Sequence, residues 1–200
     1  MGNNNFHRGR INLIIETERL LIRPPTQSDI QPLNEAIKRS LPELKKWMPW
    51  AADQSFKTTE LFINKSIQYW HDKKPKELPM IVELKSNSEI VGVSGFNEKS
   101  NFDIPMFEIG YWADTKHVGN GYVTEAVIAI TKLAFEQFSA IRVQICMQKG
   151  NEKSIAVANR AGFIKDAILK NYRLDCLSKK PCDEIIYACF DSHQIYQMKY

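Results

Sequence analysis

Two glycines, Gly119 and Gly121, stand one residue apart in the segment Lys116-His117-Val118-Gly119-Asn120-Gly121-Tyr122-Val123. Glycine has no Cβ, so the backbone at these positions can adopt positive φ and approach a ligand closely. Apolar residues recur every fourth position from Tyr122 to Phe138, which predicts an amphipathic helix that begins just after Gly121. The first amides of a helix have no partner within it, so they can bind a phosphate. The segment is therefore a candidate pyrophosphate site, with a tight strand-to-helix turn as the alternative.

Two well-known phosphate loops do not fit this spacing. A dinucleotide-binding fingerprint needs a third glycine where the chain has Thr124, and an acidic residue about 20 positions further on, where it has Gln144 and Cys146. A P-loop needs Gly-Lys-Ser/Thr, which this segment lacks. The glycines therefore do not by themselves indicate a nucleotide-binding enzyme.

A strand is predicted immediately before the glycines, because residues 107–112 alternate with a period of two. Phe107, Ile109 and Tyr111 would share one face, and Glu108 and Trp112 the other. The Glu108 carboxylate would thus lie on the same strand that leads into the candidate anion site.

This strand, the glycine segment and two later stretches resemble the acyl-CoA-binding core of the GNAT acetyltransferases. The later stretches are Asn151-Glu152-Lys153-Ser154 and Asn159-Arg160-Ala161-Gly162-Phe163. Residues 16–24 and 40–50 resemble the opening strand and first helical segment of the RimJ/RimL branch, whose best-known members acetylate the N-termini of ribosomal proteins. The resemblance covers about residues 15–190, with one departure at Lys116, where the family usually has Gln or Arg.

The resemblance implies a fold and a reaction. The fold would be an α/β (α+β) GNAT domain over residues 15–200, preceded by a flexible segment 1–14. Its central sheet would be mixed but mostly antiparallel, with about six to seven strands flanked by helices. The reaction would move the acetyl group of acetyl-CoA to a primary amine by direct attack in a ternary complex.

The resemblance also assigns residues to that reaction. Glu108 would act as the base, directly or through water, and Ser154 would donate a proton to the departing sulfur. Asn151 would bind pantetheine amides and could equally cap a short helix. The full set implied for coenzyme A is Tyr111, Trp112, Lys116, His117, Val118, Gly119, Asn120, Gly121, Tyr122, Val123, Asn151, Ser154 and Asn159. Trp47 and Trp50 would form an aromatic wall of the acceptor pocket, although two tryptophans beside a proline are as often packing residues.

One expected acid is missing from its usual place. RimL-like enzymes carry a further acidic residue just after the late strand, where this chain has Lys170-Asn171-Tyr172-Arg173, and Asp175 is the nearest acid. More weight therefore falls on Glu108. Backbone N–H groups around residues 109–111 are the family precedent for binding the oxyanion.

The composition is that of one globular domain. The chain has 200 residues, 44% of them hydrophobic and 25% charged, without a linker rich in Gly, Pro or Ser. The net charge of +4 suits an acidic ligand such as CoA, but the basic residues are scattered and no nucleic-acid motif is present. The four cysteines lack Cys-x-x-Cys spacing and the four histidines are far apart in sequence, so we expect free thiols and no metal site.

No apolar run is long enough to span a bilayer and the N-terminus lacks a signal-peptide pattern, so we expect a cytoplasmic protein without a membrane partner. The acceptor could be a protein N-terminus, such as that of a ribosomal protein, or a polyamine, an aminoglycoside or an amino acid. A non-catalytic acyl-CoA sensor and a nucleotide phosphotransferase are the competing classes. The protein could be a monomer or a homodimer.

The remaining elements follow from local patterns. Helices are predicted at 29–40, at 59–71 with Thr58 or Thr59 as N-cap, and at 152–161, where Gly162 stops the helix. Strands are predicted at 19–23, 80–84, 90–96, 141–147, 163–169 and 184–190. The predicted helix after Gly121 would turn Glu125, Lys132, Glu136 and Gln137 toward solvent.

Overall fold

The computed structural model of the protein describes residues 13–196. The segment 1–14, which we expected to be flexible, therefore lies outside the described residues except for Leu13 and Ile14. Leu13 is buried in a hydrophobic core. No helix among the described residues has both the length and the apolar character that a membrane crossing requires.

Within residues 13–196, the strands form one mixed sheet of eight strands in the order β1-β2-β3-β4-β5-β6-β8-β7. All neighbours are antiparallel except β5 and β6, which are parallel. The strands are β1 (Ile15–Glu16), β2 (Leu20–Arg23), β3 (Leu78–Leu84), β4 (Ile90–Phe96), β5 (Met106–Ala113), β6 (Arg142–Gln148), β7 (Ile164–Leu174) and β8 (Pro181–Cys189). The predicted mixed, mostly antiparallel sheet is confirmed, and the count exceeds six to seven because the short β1 pairs with β2.

Five α-helices accompany the sheet in the described part of the chain, namely α1 (Ile30–Leu44), α2 (Phe56–His71), α3 (Tyr122–Phe138), α4 (Glu152–Arg160) and α5 (His193–Tyr196). The helix predicted after Gly121 has the expected bounds. Helix α2 begins earlier than predicted, because Ser55 rather than Thr58 or Thr59 is its N-cap. The Ser55 hydroxyl accepts the Thr58 amide at 3.2 Å, and the Thr58 hydroxyl accepts the Ser55 amide at 2.7 Å.

The two faces of the sheet bury separate cores. Helix α3 packs on one face, where Phe107 and Ile109 join the larger core. Helices α1 and α2 cover the other face near β3 and β4, and Trp112 packs at the edge of that smaller core. The alternation predicted for residues 107–112 is thereby confirmed.

The parallel strands β5 and β6 stay together only at their beginning. Their register runs from Met106 opposite Arg142 to Glu108 opposite Gln144, and then ends. Beyond it, β5 pairs with β4 alone and β6 with β8 alone. The sheet therefore splits just after Glu108, which leaves a wedge between the second halves of the two strands.

Candidate active site

The glycine segment has the backbone conformation that its sequence predicts. Gly119 and Gly121 have φ of +90° and +79°. Gly121 is the N-cap of α3, and as a glycine it supplies no side-chain hydrogen bond to the first amides of the helix. A Cβ placed on Gly119 would meet nothing within 4 Å, so the space beside the loop is open. The Thr124 hydroxyl, buried in the first turn of α3, has no hydrogen-bond partner among the described residues. These donors are available to an anion.

Side chains of the same segment are engaged within the protein. The Lys116 ammonium lies 2.6 Å from Glu89 Oε1, and His117 Nε2 lies 3.2 Å from Glu89 Oε2. The Asn120 amide donates to the His117 carbonyl at 3.1 Å, and Val118 is exposed. The segment thus offers a ligand its backbone more than its charged side chains.

Arg19 lies against the start of α3, which sequence reasoning missed. Its Nε donates to Glu125 Oε2 at 2.7 Å, one terminal nitrogen donates to the Asn120 carbonyl at 3.0 Å, and the guanidinium stands 4.6 Å from the centroid of the Tyr122 ring. Glu125 also accepts from the Thr17 hydroxyl at 2.6 Å. The prediction that Glu125 faces solvent is therefore wrong, because the segment before β2 covers it.

Asp114 fixes the turn that precedes the glycines. Its buried carboxylate accepts from Arg39 at 2.5 Å, from the Ser40 hydroxyl at 3.3 Å and from the Lys116 amide at 3.1 Å. Burial by itself would raise the pKa of Asp114, but the hydrogen bonds and the charge of Arg39 outweigh it, so the pKa lies below its ordinary value. Asp114 therefore ties the glycine segment to α1 as a carboxylate.

A cavity of about 740 Å³ occupies the wedge between β5 and β6. It brings together seven of the predicted site residues, namely Trp47, Trp50, Glu108, Tyr111, Trp112, Asn151 and Ser154. Residues 116–123 do not line it and lie at the start of α3. Asn159 also lies outside it, exposed near the end of α4.

Glu108 is buried at the point where the sheet splits. Its Oε1 accepts from Asn97 at 2.8 Å, and its Oε2 accepts from Gln144 at 2.8 Å and from the Cys146 thiol at 3.1 Å. Burial and the charge of Glu108 raise the pKa of Cys146, so this cysteine remains a neutral thiol donor. The carboxylate is thereby held in one position.

Ser154 lies in the first turn of α4 and faces β5. Its hydroxyl oxygen is 2.7 Å from the Tyr111 phenol oxygen. Asn151 Oδ1 accepts the Ser154 amide at 3.2 Å, so Asn151 caps α4 as its sequence position allowed. Burial raises the pKa of Tyr111 to about 12, which keeps its proton in place at neutral pH.

Aromatic rings line the opposite part of the cavity. Trp50, in the 3₁₀ turn Pro49–Asp53, packs against Trp112 of β5 with ring centroids 6.1 Å apart. Trp47 lines the cavity beside them, and Trp50 remains 42% exposed. Indole surface is therefore open to a bound molecule.

A second buried carboxylate in the cavity, that of Glu184, was not predicted. It lies on β8, and its Oε1 accepts from Arg173 at 3.2 Å. Asp175, the acid singled out from the sequence, instead accepts the backbone amides of a turn at Leu177 and Ser178. The only signal for Glu184 is an acid that begins an otherwise apolar stretch of strand, Glu184-Ile185-Ile186-Tyr187.

Comparisons with known proteins agree with this architecture. Residues 19–164 match the family model described as an acetyltransferase (GNAT) domain. The ribosomal-protein-serine acetyltransferase of Escherichia coli K12 is 27% identical over 157 residues, which is 77% of this chain and 84% of the relative.

Two solved structures share the fold. One is RimL, the ribosomal L7/L12 alpha-N-protein acetyltransferase, in complex with coenzyme A. It matches with a TM-score of 0.81 at 21% sequence identity, and the matched region covers 90% of this chain and 99% of the RimL chain. The other is the microcin C7 self-immunity acetyltransferase MccE in complex with acetyl-CoA and AMP. It matches with a TM-score of 0.79 at 23% sequence identity, and the matched region covers 88% of this chain and 94% of the MccE chain.

The fold and the matched sequence define the class of protein as an acyltransferase with a GNAT fold. Because the family model spans well over half of the chain, the protein belongs to the GNAT acetyltransferase family. It is an acetyl-CoA-dependent N-acetyltransferase.

Proposed function

We propose that the protein acetylates the α-amine at the N-terminus of a protein, with the cavity between β5 and β6 as the site of transfer. The observation that carries this proposal is the presence in one cavity of a buried carboxylate, a serine–tyrosine hydroxyl pair and an open indole surface. Acetyl-CoA supplies the thioester-activated acetyl group.

The start of α3 fits the diphosphate of coenzyme A. It offers the uncapped amides of the first turn, an open face at Gly119 and the unpartnered Thr124 hydroxyl. Arg19 lies next to Gly121, since a Cβ on Gly121 would lie 3.6 Å from its guanidinium, and its charge is already paired with Glu125. An anion bound there would replace water at donors that have no other partner.

Backbone groups of β5 would meet the pantetheine and the developing oxyanion. The Asn97 amide donates to the Glu108 carbonyl, and the Asp114 amide donates to the Val91 carbonyl. Since ladder hydrogen bonds alternate in an antiparallel pair, the backbone of Tyr111 faces away from β4, toward the wedge. This orientation supports the expected oxyanion role for the backbone N–H groups of Ile109 and Tyr111, whereas the backbone of Gly110 faces β4.

Glu108 would take the proton of the attacking amine, and Ser154 would hold a proton for the departing sulfur. A lysine with a pKa near 10.4 needs roughly 4 to 5 kcal/mol to lose its proton at pH 7, whereas an α-amine with a pKa near 7.7 to 8.0 needs only about 1 to 1.4 kcal/mol. The α-amine therefore requires less of the base, which favours it as the acceptor, and three donors hold the Glu108 carboxylate in place for this step.

Two similarities favour a protein acceptor. The Escherichia coli relative is named as a ribosomal-protein-serine acetyltransferase, and RimL as an α-N-protein acetyltransferase. Such an acceptor would place the protein in the cytoplasm. The structure of the microcin C7 self-immunity acetyltransferase MccE contains AMP as well as acetyl-CoA, which supports small molecules as the alternative acceptors.

A free-thiol release assay tests the proposal. Acetyl-CoA would be offered with peptides that have a free N-terminus, the same peptides formylated at the N-terminus, spermidine, an aminoglycoside and free amino acids. We expect release only with free N-termini. Thiol release only with spermidine or the aminoglycoside would indicate a small-molecule acceptor. Binding of acetyl-CoA without thiol release in the presence of any amine would indicate a non-catalytic acyl-CoA sensor. A thermal shift with ATP instead of acetyl-CoA would indicate a phosphotransferase.

A further inference from the structure

Lys99 lies between the two carboxylates of the cavity. Its ammonium nitrogen is 3.8 Å from Glu108 Oε1 and 3.9 Å from Glu184 Oε2. At these distances the contacts are ion pairs without hydrogen-bond geometry. The Lys99 side chain is 50% exposed, so it can move into solvent without disturbing the core. The cavity thus contains a cation that is held loosely by two fixed anions.

Gln148 adds an unsatisfied acceptor beside them. It lies opposite Glu184 in the β6–β8 pair and is only 5% exposed. Its Nε2 donates to Asp175 Oδ2 at 2.5 Å, and this bond to a carboxylate fixes which end of the amide is nitrogen. Its Oε1 has no hydrogen-bond partner among residues 13–196, although Gln148 lines the cavity. A buried amide oxygen without a donor is unfavourable, so a ligand N–H there would satisfy it.

We infer that Glu108, Glu184 and Gln148 form the subsite for the ammonium group of the acceptor, and that Lys99 pairs with the two carboxylates of this subsite until the acceptor displaces it. This inference rests on the proposed function of the cavity. An ammonium group carries three N–H donors and no acceptor, which matches three oxygens from three side chains.

The chemistry of the subsite defines the substrate class. A primary amine that arrives as a cation can replace the Lys99 ammonium charge for charge. A neutral amine or a hydroxyl compound would instead leave Glu108 without a cation beside it, while Arg173 alone would pair with Glu184. The Lys99 charge persists at neutral pH, because Glu108 and Glu184 together outweigh the effect of burial and raise the pKa of Lys99. Lys99 is therefore a built-in competitor of the acceptor.

Steady-state kinetics with the best acceptor from the thiol-release panel tests this inference. We expect Lys99→Met to lower KM at least threefold and Glu184→Gln to raise it about tenfold, with KM changing more than kcat in each case. The matched controls are Lys170→Met and Asp183→Asn, which remove an ion pair of 3.0 Å on the neighbouring β7–β8 surface and should change KM less than twofold. An unchanged or higher KM for Lys99→Met would overturn the inference.

A binding measurement separates this inference from the proposed function. Calorimetry would compare alanyl-phenylalanine amide, whose single charge is its N-terminal ammonium, with its N-acetylated form on the coenzyme-A-loaded protein. Tighter binding of the free amine to Lys99→Met than to the unmodified protein supports the subsite even if no acceptor in the panel releases thiol. Thiol release from an amine without any effect of Lys99→Met on KM or binding would leave the proposed function standing and remove the subsite.

Discussion

The Tyr111 phenol oxygen on β5 and the Ser154 hydroxyl oxygen on α4 lie 2.7 Å apart across the wedge between the parallel strands. Each hydroxyl can donate to only one acceptor at a time. If Tyr111 donates to Ser154, the Ser154 proton is directed toward the cavity, where a departing thiolate would need it. The two residues should therefore act as a unit.

A double-mutant cycle tests this unit. We expect Ser154→Ala to lower kcat by about 10²-fold, because a positioned proton donor contributes on that order. Tyr111→Phe should lower kcat less, and the double variant should be no slower than Ser154→Ala by more than a small factor. If the two reductions in kcat multiply in the double variant, Tyr111 acts independently of Ser154. The affinity for coenzyme A should stay nearly constant in all three variants.

Glu108→Gln should lower the rate while leaving coenzyme A binding nearly unchanged. The substitution keeps the shape of the side chain but removes the charge that we propose as acceptor of the amine proton. Glu43→Gln is the matched control, since Glu43 is a carboxylate paired with Lys46 and Lys153 away from the cavity. The rate is measured by steady-state kinetics and the coenzyme A affinity by calorimetry for both variants. An unaltered rate for Glu108→Gln would show that Glu108 has no catalytic role.

Gly121→Val should weaken coenzyme A binding by at least tenfold, because a branched side chain would block the approach of a diphosphate to the backbone. Gly162→Val is the control. Gly162 has φ of +83°, close to +79° at Gly121, so both variants should lose similar stability from the left-handed backbone. Equal coenzyme A affinity in the two variants, measured by calorimetry, would argue against the diphosphate site.

Asp114 should make the protein sensitive to acid. Its pKa is lowered in the folded protein, so its contribution to stability is present above the unfolded value near 3.8 and is lost as the pH falls through the lower folded value. Denaturant unfolding between pH 5 and pH 2.5 should show a steeper loss of free energy for the natural protein than for Asp114→Asn. Parallel pH profiles would contradict this expectation.

The Cys146 thiol should react slowly with iodoacetamide at pH 8, because burial and the neighbouring Glu108 charge raise its pKa and the thiolate is the reactive form. Removing that charge in Glu108→Gln should speed the labelling of Cys146, as followed by peptide mass spectrometry. Cys189 provides an internal reference, because burial raises its pKa to about 11 and the charge of Glu108 does not contribute to this increase. Identical Cys146 rates in both proteins would show that Glu108 does not control the thiol.

The sequence predicted the elements whose causes are local. The period of four after Gly121 and the alternation of residues 107–112 both depend on neighbours in the chain, and α3 and β5 agree with them. The cap of α2 was misplaced because Ser55 and Thr58 bond reciprocally, which a single candidate cap does not reveal.

The surroundings of the site depend on pairings between distant strands. Glu184 enters the cavity because β8 inserts between β6 and β7, an order that the chain sequence does not specify. Lys99 reaches the same place because the Asn97 side chain accepts its backbone amide and also bonds to Glu108. Glu125 is buried by Thr17 and Arg19, over a hundred positions earlier in the chain. None of these contacts has a local pattern.

The hydrogen bonds of Thr17 and Arg19 to Glu125 bear on where the domain begins. The matched family region begins at residue 19, yet Thr17 supplies one of the hydrogen bonds that hold the first turn of α3. A version trimmed to that region would keep both glycines and still loosen the amides beside them. We therefore expect the functional domain to begin upstream of residue 19, where the matched family region starts.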